Sequence, residues 1–428
     1  MLAVKQLTKT ALNQAIPLPE CPLEYTDNSV PNDSTSASLR ELRVAIVHDW
    51  LTAYAGSEKV LEQILLLFPQ AELFTLVDHL PMAQRAFAKG RVIHTSFLQR
   101  LPFSAKLFRK LLWLFPLAIE SFDLSGFDLI LSSSHAVAKG VLTGPDQLHI
   151  CYCHTPIRYA WDCQHEYLRQ MGLDSGLASI YARSALHYLR LWDVRTSPGV
   201  DHFIANSNFI ARRINKAYAR SATVIHPPAD VDKFPLISEK SDYYVTASRL
   251  VPYKRIDLIV EAFARLPDRR LLVIGDGPEM RICQKLAKSN VQFLGYQPDE
   301  RLPELIGNAR AFVFAAEEDF GISVVEAQAC GTPVICYGKG GVLDSVVDRE
   351  TGVYFSEQSA AGIAGAIRRF EALKTPLNPV EIHARAQRFS PEQFQQQFQW
   401  HVMTRWEEHC ARLRYGPAHP EQGLAMSA

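Results

Sequence analysis

The feature that most constrains this chain is a regular alternation of short apolar runs with helical patterns. A first series of strand-length runs rich in Val, Ile and Leu occupies 44–47, 73–77, 92–95, 129–132, 149–153, 203–205 and 223–226. A second series occupies 244–247, 271–274, 291–294, 311–314, 333–336 and 353–355. Short apolar strands separated by helices are typical of a parallel sheet that is covered on both faces. The sequence therefore predicts an α/β protein with two doubly wound, Rossmann-like units.

Local composition places the boundaries of these units. Residues 1–40 carry several prolines among Asn, Asp, Ser and Thr, with too little apolar surface to offset the entropy of ordering. Prolines clustered within 226–235 indicate a hinge. The predicted segments are a disordered arm (1–40), a first domain (41–227), a hinge (228–240), a second domain (241–390), a long helix (391–414) and a flexible tail (415–428). We expect the long helix to pack back across both units, and we expect ligands to bind in a cleft between them, at the carboxyl ends of the strands.

Overall composition excludes some classes of partner. Lysine plus arginine equals aspartate plus glutamate at 45 each, so no net charge attracts the chain to nucleic acid. The eight cysteines show no disulfide framework and several lie in apolar runs, as expected in a reducing compartment. We find no signal-peptide pattern and no apolar run near the roughly 18 residues of a membrane span. We therefore expect a cytoplasmic protein without a nucleic-acid partner.

The sharpest chemical pattern is a pair of glutamates around a tight turn. Glu318 lies on the loop after a predicted strand, Gly321 allows the turn, and Glu326 lies about one turn inside the following helix. The start of a helix favours a phosphate, and a carboxylate can accept two hydrogen bonds from a sugar diol. Two carboxylates near a helix end are more often simply solvated. Their strand–turn–helix context favours a sugar-phosphate site here.

Two cations follow the first strand of the second unit. Arg249 and Lys254 lie between the run 244–247 and the next helical pattern. They would hold a diphosphate, the arginine as a fork and the lysine as a point charge. On their own they would be an ordinary surface pair. Both this pair and the glutamates follow strands of the same domain, which favours a shared site.

The first domain carries its polar residues at similar places. Gly56 follows the first strand, where it would let the backbone approach a phosphate at a helix start. His135 lies just past the run 129–132, and His154 and Arg158 follow the run 149–153. Since carboxyl ends of parallel strands share one edge, these side chains are expected at the cleft.

Together these residues resemble the retaining glycosyltransferases of family 4, which have the GT-B architecture of two Rossmann-like domains facing a cleft. The resemblance covers roughly 43–412 and is carried by the two-glutamate motif, with Gly331 and Pro333 beside it, and by the Arg–Lys pair. It implies that Glu326 binds the ribose of the donor and that Glu318 contacts the donor sugar. The cation pair would neutralise the diphosphate.

The resemblance assigns roles to further residues. It implies donor binding by Gly56, Arg249, Lys254, Gly275, Gly277, Glu318, Phe320, Gly321, Ile322 and Glu326. It implies catalytic roles for His135, Glu318, Arg249 and Lys254, and it places His154 and Arg158 on the acceptor side. The family usually has a second glycine or another small residue beside the first loop glycine, so Ser57 is a mild departure. The Gly275–Gly277 turn, taken alone, is also consistent with simple turn chemistry.

The implied reaction transfers a sugar from a nucleotide diphosphate donor to a hydroxyl with retention at the anomeric carbon. The segment 151–162 resembles bacterial polysaccharide mannosyltransferases, which favours GDP-mannose as donor and a glycan or polyprenyl-linked acceptor. No cofactor or metal is expected, because the cations and helix ends would neutralise the departing diphosphate. Two alternatives remain: a sugar-nucleotide epimerase of the same architecture, and a non-catalytic sugar-nucleotide-binding scaffold.

Two sets of residues match sequence patterns of metal sites. A zinc set can be written from Cys153, His154, Cys163 and His165, but its spacing lacks the paired Cys-x-x-Cys knuckle. Asp230 and Asp232 match the Asp-x-Asp pattern of the other major glycosyltransferase architecture, but they lie in the proline-rich hinge. We therefore predict no metal site.

The segment 100–118 is basic and unusually aromatic. It carries Lys106, Arg109 and Lys110 among Leu, Phe and Trp residues. One interpretation is the buried edge of a helix. The other is an amphipathic segment whose cations meet anionic lipid head groups on the inner face of the cell membrane.

Overall fold

The computed structural model describes residues 41–102, 105 and 108–415. The predicted arm (1–40), residues 416–428 of the predicted tail, and Lys106 lie outside the described residues. The side chains of Arg109 and Lys110 lie outside them as well.

The first unit is built on a seven-stranded parallel sheet with the order β3-β2-β1-β4-β5-β6-β7. Its strands are β1 (Val44–His48), β2 (Glu72–Thr75), β3 (Ile93–Thr95), β4 (Leu129–Ser134), β5 (Leu148–Cys153), β6 (His202–Ala205) and β7 (Ala222–Val224). Every residue of β1, β4 and β5 is buried, which explains their unbroken apolar signal. The strand order reverses between β1 and β4, and a crevice opens at the carboxyl ends of such a pair.

The second unit has a six-stranded parallel sheet with the order β10-β9-β8-β11-β12-β13. Its strands are β8 (Tyr244–Ala247), β9 (Leu271–Ile274), β10 (Val291–Gly295), β11 (Ala311–Phe314), β12 (Val334–Tyr337) and β13 (Gly352–Phe355). The order reverses between β8 and β11, so the loops that follow these two strands flank the second crevice. Each predicted run overlaps one observed strand, and the prediction of two doubly wound units is confirmed.

Helices cover both faces of each sheet. In the first unit they are α1 (Gly56–Leu67), α2 (Phe115–Glu120), α3 (Gln164–Gln170), α4 (Gly176–Thr196) and α5 (Asn208–Tyr218). In the second unit they are α6 (Ile256–Ala264), α7 (Met280–Leu286), α8 (Leu302–Gly307), α9 (Ile322–Ala329), α10 (Ala360–Glu371) and α11 (Pro379–Ala386). No described helix combines the length and the apolar composition that crossing a bilayer requires.

The chain returns from the second unit to the first near its end. Helix α11 packs against α9 of the second unit. Helix α12 (Pro391–Tyr415) follows it and packs on α1 and β5 of the first unit. Its Phe394, Phe398 and Val402 join the core that contains Leu61 and Ile150. The expected crossing is thus made by two successive helices rather than by one.

Candidate active site

A buried carboxylate holds the turn that follows β4. Asp49, directly after β1, accepts hydrogen bonds from four consecutive backbone N–H groups: His135 at 2.6 Å, Ala136 at 2.9 Å, Val137 at 2.6 Å and Ala138 at 2.7 Å. A buried charge needs such partners, and here they fix the turn rigidly. Sequence reasoning missed Asp49, whose only signal was an acidic residue directly after a buried strand.

His135 projects from this turn at the first crevice. Its ring stands edge-on to Trp50, with 4.5 Å between centroids, and 24% of its side chain is exposed. Its Nδ1 atom lies 3.0 Å from Asp49 Oδ2, but it forms no hydrogen bond to any described residue. Burial lowers the pKa of His135 and outweighs the opposing charge of Asp49. The neutral imidazole is therefore favoured, and because Nδ1 is buried beside Asp49, Nε2, which bonds no described residue, is the nitrogen that would meet a hydroxyl.

Beneath His135 runs a buried chain of hydrogen-bonding side chains. Glu58 lies 3.3 Å from His48, His48 lies 3.2 Å from the Ser133 hydroxyl, and that hydroxyl lies 2.8 Å from His154. Burial alone would raise the pKa of Glu58, but the hydrogen bond and charge of His48 lower it to about 2. Burial lowers the pKa of His154 well below its usual value. His154, predicted on the acceptor side, is thus a buried member of this chain.

The loops of the second crevice carry the predicted cations and carboxylates. Lys254 forms an ion pair with Glu318, so the loops after β8 and β11 meet. Arg249 is exposed, and its guanidinium forms no ion pair or hydrogen bond with the described part of the chain. It is available to an anion that enters the crevice.

Close backbone contacts hold both loops in place. A Cβ atom on Gly275 would lie 1.9 Å from the carbonyl oxygen of Ser248, and one on Gly277 would lie 2.3 Å from that of Leu250. This glycine turn therefore supports the loop that carries Arg249, in agreement with its interpretation as turn chemistry. Gly321 adopts the predicted tight turn, with φ of 91°.

A second glycine pair, after β12, was missed by the sequence analysis. A Cβ atom on Gly341 would lie 1.9 Å from the carbonyl oxygen of Asp319. The Gly341 N–H also donates to the carbonyl oxygen of Glu318 at 2.8 Å. The signal that could have found it is the Gly340–Gly341 pair in the loop after the predicted strand 333–336.

Predicted site residues of the two units meet at helix starts. A Cβ atom on Gly56, at the start of α1, would lie 3.2 Å from the Ile322 side chain at the start of α9. Arg158 forms an ion pair with Asp319, which a second arginine, Arg213, approaches to 3.4 Å. Phe320 is buried in the core of the second unit. Asp319 and Arg213 were not predicted, because nothing near them in sequence reveals a partner on the other unit.

Glu326 is paired with a lysine of the first unit. Lys59 Nζ lies 3.2 Å from Glu326 Oε1 and 3.1 Å from Asp230 Oδ2. Burial raises the pKa of Glu326, and Lys59 offsets this only in part. Burial would lower the pKa of Lys59, but the two carboxylates together raise it. The charged form of Lys59 is favoured because two anions surround it. The charged form of Glu326 is disfavoured because it is buried with one cation and a repelling Asp230.

The residues that match metal-site patterns in the sequence make other contacts in the structure. Cys153 packs in the apolar core of the first unit. Asp230 pairs with Lys59 and, at 3.2 Å, with Lys233. Within the described ranges, no group of three or more His, Cys, Asp or Glu side chains is arranged to hold a metal ion.

Two curated bacterial proteins illustrate the sequence relationships of this chain. D-inositol 3-phosphate glycosyltransferase of Mycobacteroides abscessus is 32% identical over 197 residues, which cover 41% of this chain and 42% of that protein. GDP-mannose-dependent alpha-(1-6)-phosphatidylinositol monomannoside mannosyltransferase of Mycolicibacterium smegmatis is 30% identical over 194 residues, covering 38% of this chain and 50% of that protein. The chain therefore matches half or less of the length of these relatives.

Solved structures match over much more of the chain. HepE of Anabaena, crystallised in complex with UDP, superposes with a TM-score of 0.62 at 18% identity, covering 85% of this chain and all of that one. Sucrose-phosphate synthase of Thermosynechococcus elongatus gives a TM-score of 0.58 at 17% identity, covering 88% of this chain and all of that one. At these identities the likeness establishes the fold, which is GT-B.

Two family models match adjoining parts of the chain. The model described as Glycosyltransferase Family 4 matches residues 73–233, and the model described as Glycosyl transferases group 1 matches residues 229–388. Together they extend from the first sheet through the second and cover well over half of the chain. The protein therefore belongs to the family 4 glycosyltransferases.

Proposed function

We propose that this glycosyltransferase is a retaining hexosyltransferase that moves mannose from GDP-mannose to a hydroxyl of a glycan or polyprenyl-linked acceptor in polysaccharide biosynthesis. The observation that carries the proposal is the contact of α9 with α1, made by Glu326 with Lys59 and by Ile322 with Gly56, beside the Lys254–Glu318 ion pair of the second unit. A nucleotide-sugar donor is supported by the UDP complex of HepE, and GDP-mannose is supported by the name of the mycobacterial mannosyltransferase.

In this proposal the donor diphosphate binds between the starts of α1 and α9. Arg249 has no partner in the described structure, so it would pair with the diphosphate without first breaking a contact. Lys254 would exchange Glu318 for a phosphate oxygen, which would free Glu318 to accept hydrogen bonds from the sugar. Fixed cations and helix ends stabilise charge that develops on the leaving group, so the proposal requires no metal.

His135 would lie beside the anomeric carbon. Its neutral ring, fixed through the Asp49 turn, would bond a sugar hydroxyl without adding charge. Retention would follow from attack on the face of the leaving group, with the departing phosphate accepting the proton of the acceptor hydroxyl. Donor binding would close the cleft and exclude water.

We also propose that the protein works at the cytoplasmic face of the membrane through residues 100–118. Phe108 and Phe115 are buried in the core, so these parts of the segment are internal packing. Trp113 and Leu117 are 48% and 59% exposed, which suits contact with lipid. Helix α4, which packs on this segment, adds exposed apolar side chains at Leu177, Ile180, Tyr181, Tyr188 and Leu191.

A donor panel followed by a transfer assay tests the function. Thermal stabilisation by GDP-mannose above other nucleotide diphosphate sugars is expected, because a tight ligand raises apparent stability by mass action. Consumption of the donor should then require a lipid-linked acceptor, with retention verified by NMR of the product. Release of free sugar without an acceptor would support an epimerase instead. Binding without consumption of any donor would support a scaffold.

A further inference from the structure

Lys59 connects three parts of the molecule at one point. It lies in the first turn of α1 in the first unit, and its Nζ atom contacts Glu326 of the second unit and Asp230 of the segment that joins them. The ammonium group is largely shielded from solvent, so it is not a mobile surface cation. Its partner Glu326 is 267 residues away in sequence.

Glu326 depends on Lys59 for its charge balance. The carboxylate is mostly buried, and Asp230 and Asp299 act on it as repelling charges. Lys59 is the cation that pairs with it in the described part of the chain. A carboxylate in such surroundings takes up a proton when its cation is removed. A protonated Glu326 would carry an O–H donor on one oxygen and would accept fewer hydrogen bonds from a diol.

We propose that Lys59 is a positioning residue of the donor site, which keeps Glu326 ionised and aimed at the ribose hydroxyls of a nucleoside diphosphate. This inference rests on the proposed function and adds to it a residue from the opposite unit. The ribose site is then complete only when α1 is docked on α9, so closure of the two units and recognition of the nucleoside are one event. The opposite role, a latch that the donor must break, makes the opposite prediction for the same variant.

Titration of GDP and UDP into the wild type and into Lys59→Gln by calorimetry tests the proposal. At pH 7 the variant should bind the preferred nucleotide about tenfold more weakly, the size of one charge-assisted contact. Binding should recover as the pH is raised, because alkali ionises Glu326 again, whereas Glu326→Gln should bind weakly at every pH. Lys59→Arg should restore affinity to within about threefold of wild type, since it keeps the charge.

Lys233→Gln is the matched control. Lys233 also pairs with Asp230, at 3.2 Å, but it is exposed and does not contact Glu326. This variant should bind like the wild type, and thermal unfolding should show every variant folded. Equal or tighter binding by Lys59→Gln, or weak binding that does not change with pH, would overturn the positioning role alone. A folded wild type that binds neither nucleotide would overturn the proposed function and this inference with it.

Discussion

Most charged groups of the candidate site are paired with one another across its loops. Lys254 pairs with Glu318, Lys59 with Glu326 and Arg158 with Asp319. Each pair limits the cost of burying a charge, since an uncompensated charge would be expensive in these surroundings. In the proposed mechanism the donor exchanges partners with Lys254 and Glu318, whereas the Lys59–Glu326 pair stays in place beside the ribose.

The Lys254–Glu318 pair leads to a first prediction. Lys254→Ala should lower kcat/KM by the equivalent of roughly 2–4 kcal/mol, because the leaving diphosphate loses a fixed cation. Steady-state kinetics with GDP-mannose measure the loss. Lys285 is an exposed lysine on α7, and Lys285→Ala should change neither kcat nor KM. Near wild-type kinetics in Lys254→Ala would remove this lysine from the site.

The contact at Gly341 leads to a second prediction. Gly341→Ala should destabilise the fold by about 1–3 kcal/mol, because its Cβ would overlap the carbonyl oxygen of Asp319 and push the Glu318 loop away. Urea unfolding measures the change. Gly126→Ala, where a Cβ meets nothing within 4 Å, should remain within about 0.5 kcal/mol of wild type. Equal midpoints for the two variants would contradict the close packing of this loop.

At the scale of elements, the sequence predicted the strands, because their apolar runs depend only on local burial. The central strands, such as β1, β4 and β11, are buried on both faces, and such strands leave continuous apolar runs that need no knowledge of the partner strand. Asp49 and Lys59 were missed because their partners are 86 and 267 residues away. Periodicity reports only neighbours within one helix or strand. The roles predicted for the site residues are carried by resemblance and remain predictions.

Helix α12 allows a prediction with an internal control. Phe398 is 1% exposed in the core of the first unit, whereas Trp400, two residues later, is 53% exposed. Phe398→Ala should cost about 3–5 kcal/mol of unfolding free energy through lost burial and a cavity. Trp400→Ala should change the unfolding free energy by no more than about 0.5 kcal/mol. Chemical denaturation of both variants is the measurement, and similar losses would mean that α12 is not seated as described.

The segment 100–118 allows a prediction about membranes. A variant with glutamine at Lys106, Arg109 and Lys110 should float less than wild type with anionic vesicles. Each basic residue that is removed should weaken the free energy of membrane binding by about 1 kcal/mol. Salt should weaken wild-type binding without abolishing it, because charge attraction is screened and apolar contact is not.

The matched control is a triple glutamine variant at Arg281, Lys285 and Lys288, which are exposed on the second unit. It should float like the wild type. If both triple variants float like the wild type, or if the wild type itself stays unbound, residues 100–118 are only internal packing.

At the scale of the whole molecule, contacts between the two units surround the candidate site. Lys59–Glu326 and Arg158–Asp319 lie beside the predicted donor residues, while Asp344 accepts the Asn208 N–H at 2.7 Å. The fold was predictable because both units repeat one pattern. The pairing of the units was not, since it is made by single side chains whose partners are distant in sequence.

The proposal for the whole molecule predicts activity without divalent metal. Transfer should persist in excess EDTA, because Arg249 and Lys254 replace a metal as the charges opposite the diphosphate. Initial rates with and without chelator are the measurement, with a metal-dependent glycosyltransferase as a positive control for chelation. Complete loss that Mg²⁺ or Mn²⁺ restores would assign a metal role, with Asp230 and Asp232 as the first residues to test.

The position of α12 has a consequence for biosynthesis. The ribosome makes the strands of the first sheet early, but Phe394, Phe398 and Val402, which complete their core, are added only after the whole second unit. Domains usually fold in the order of their synthesis. Here the earlier domain keeps an open apolar face until nearly all of the chain has been translated. Nascent chains stalled before residue 391 should therefore bind chaperones through this face, although every strand of both sheets has already been made.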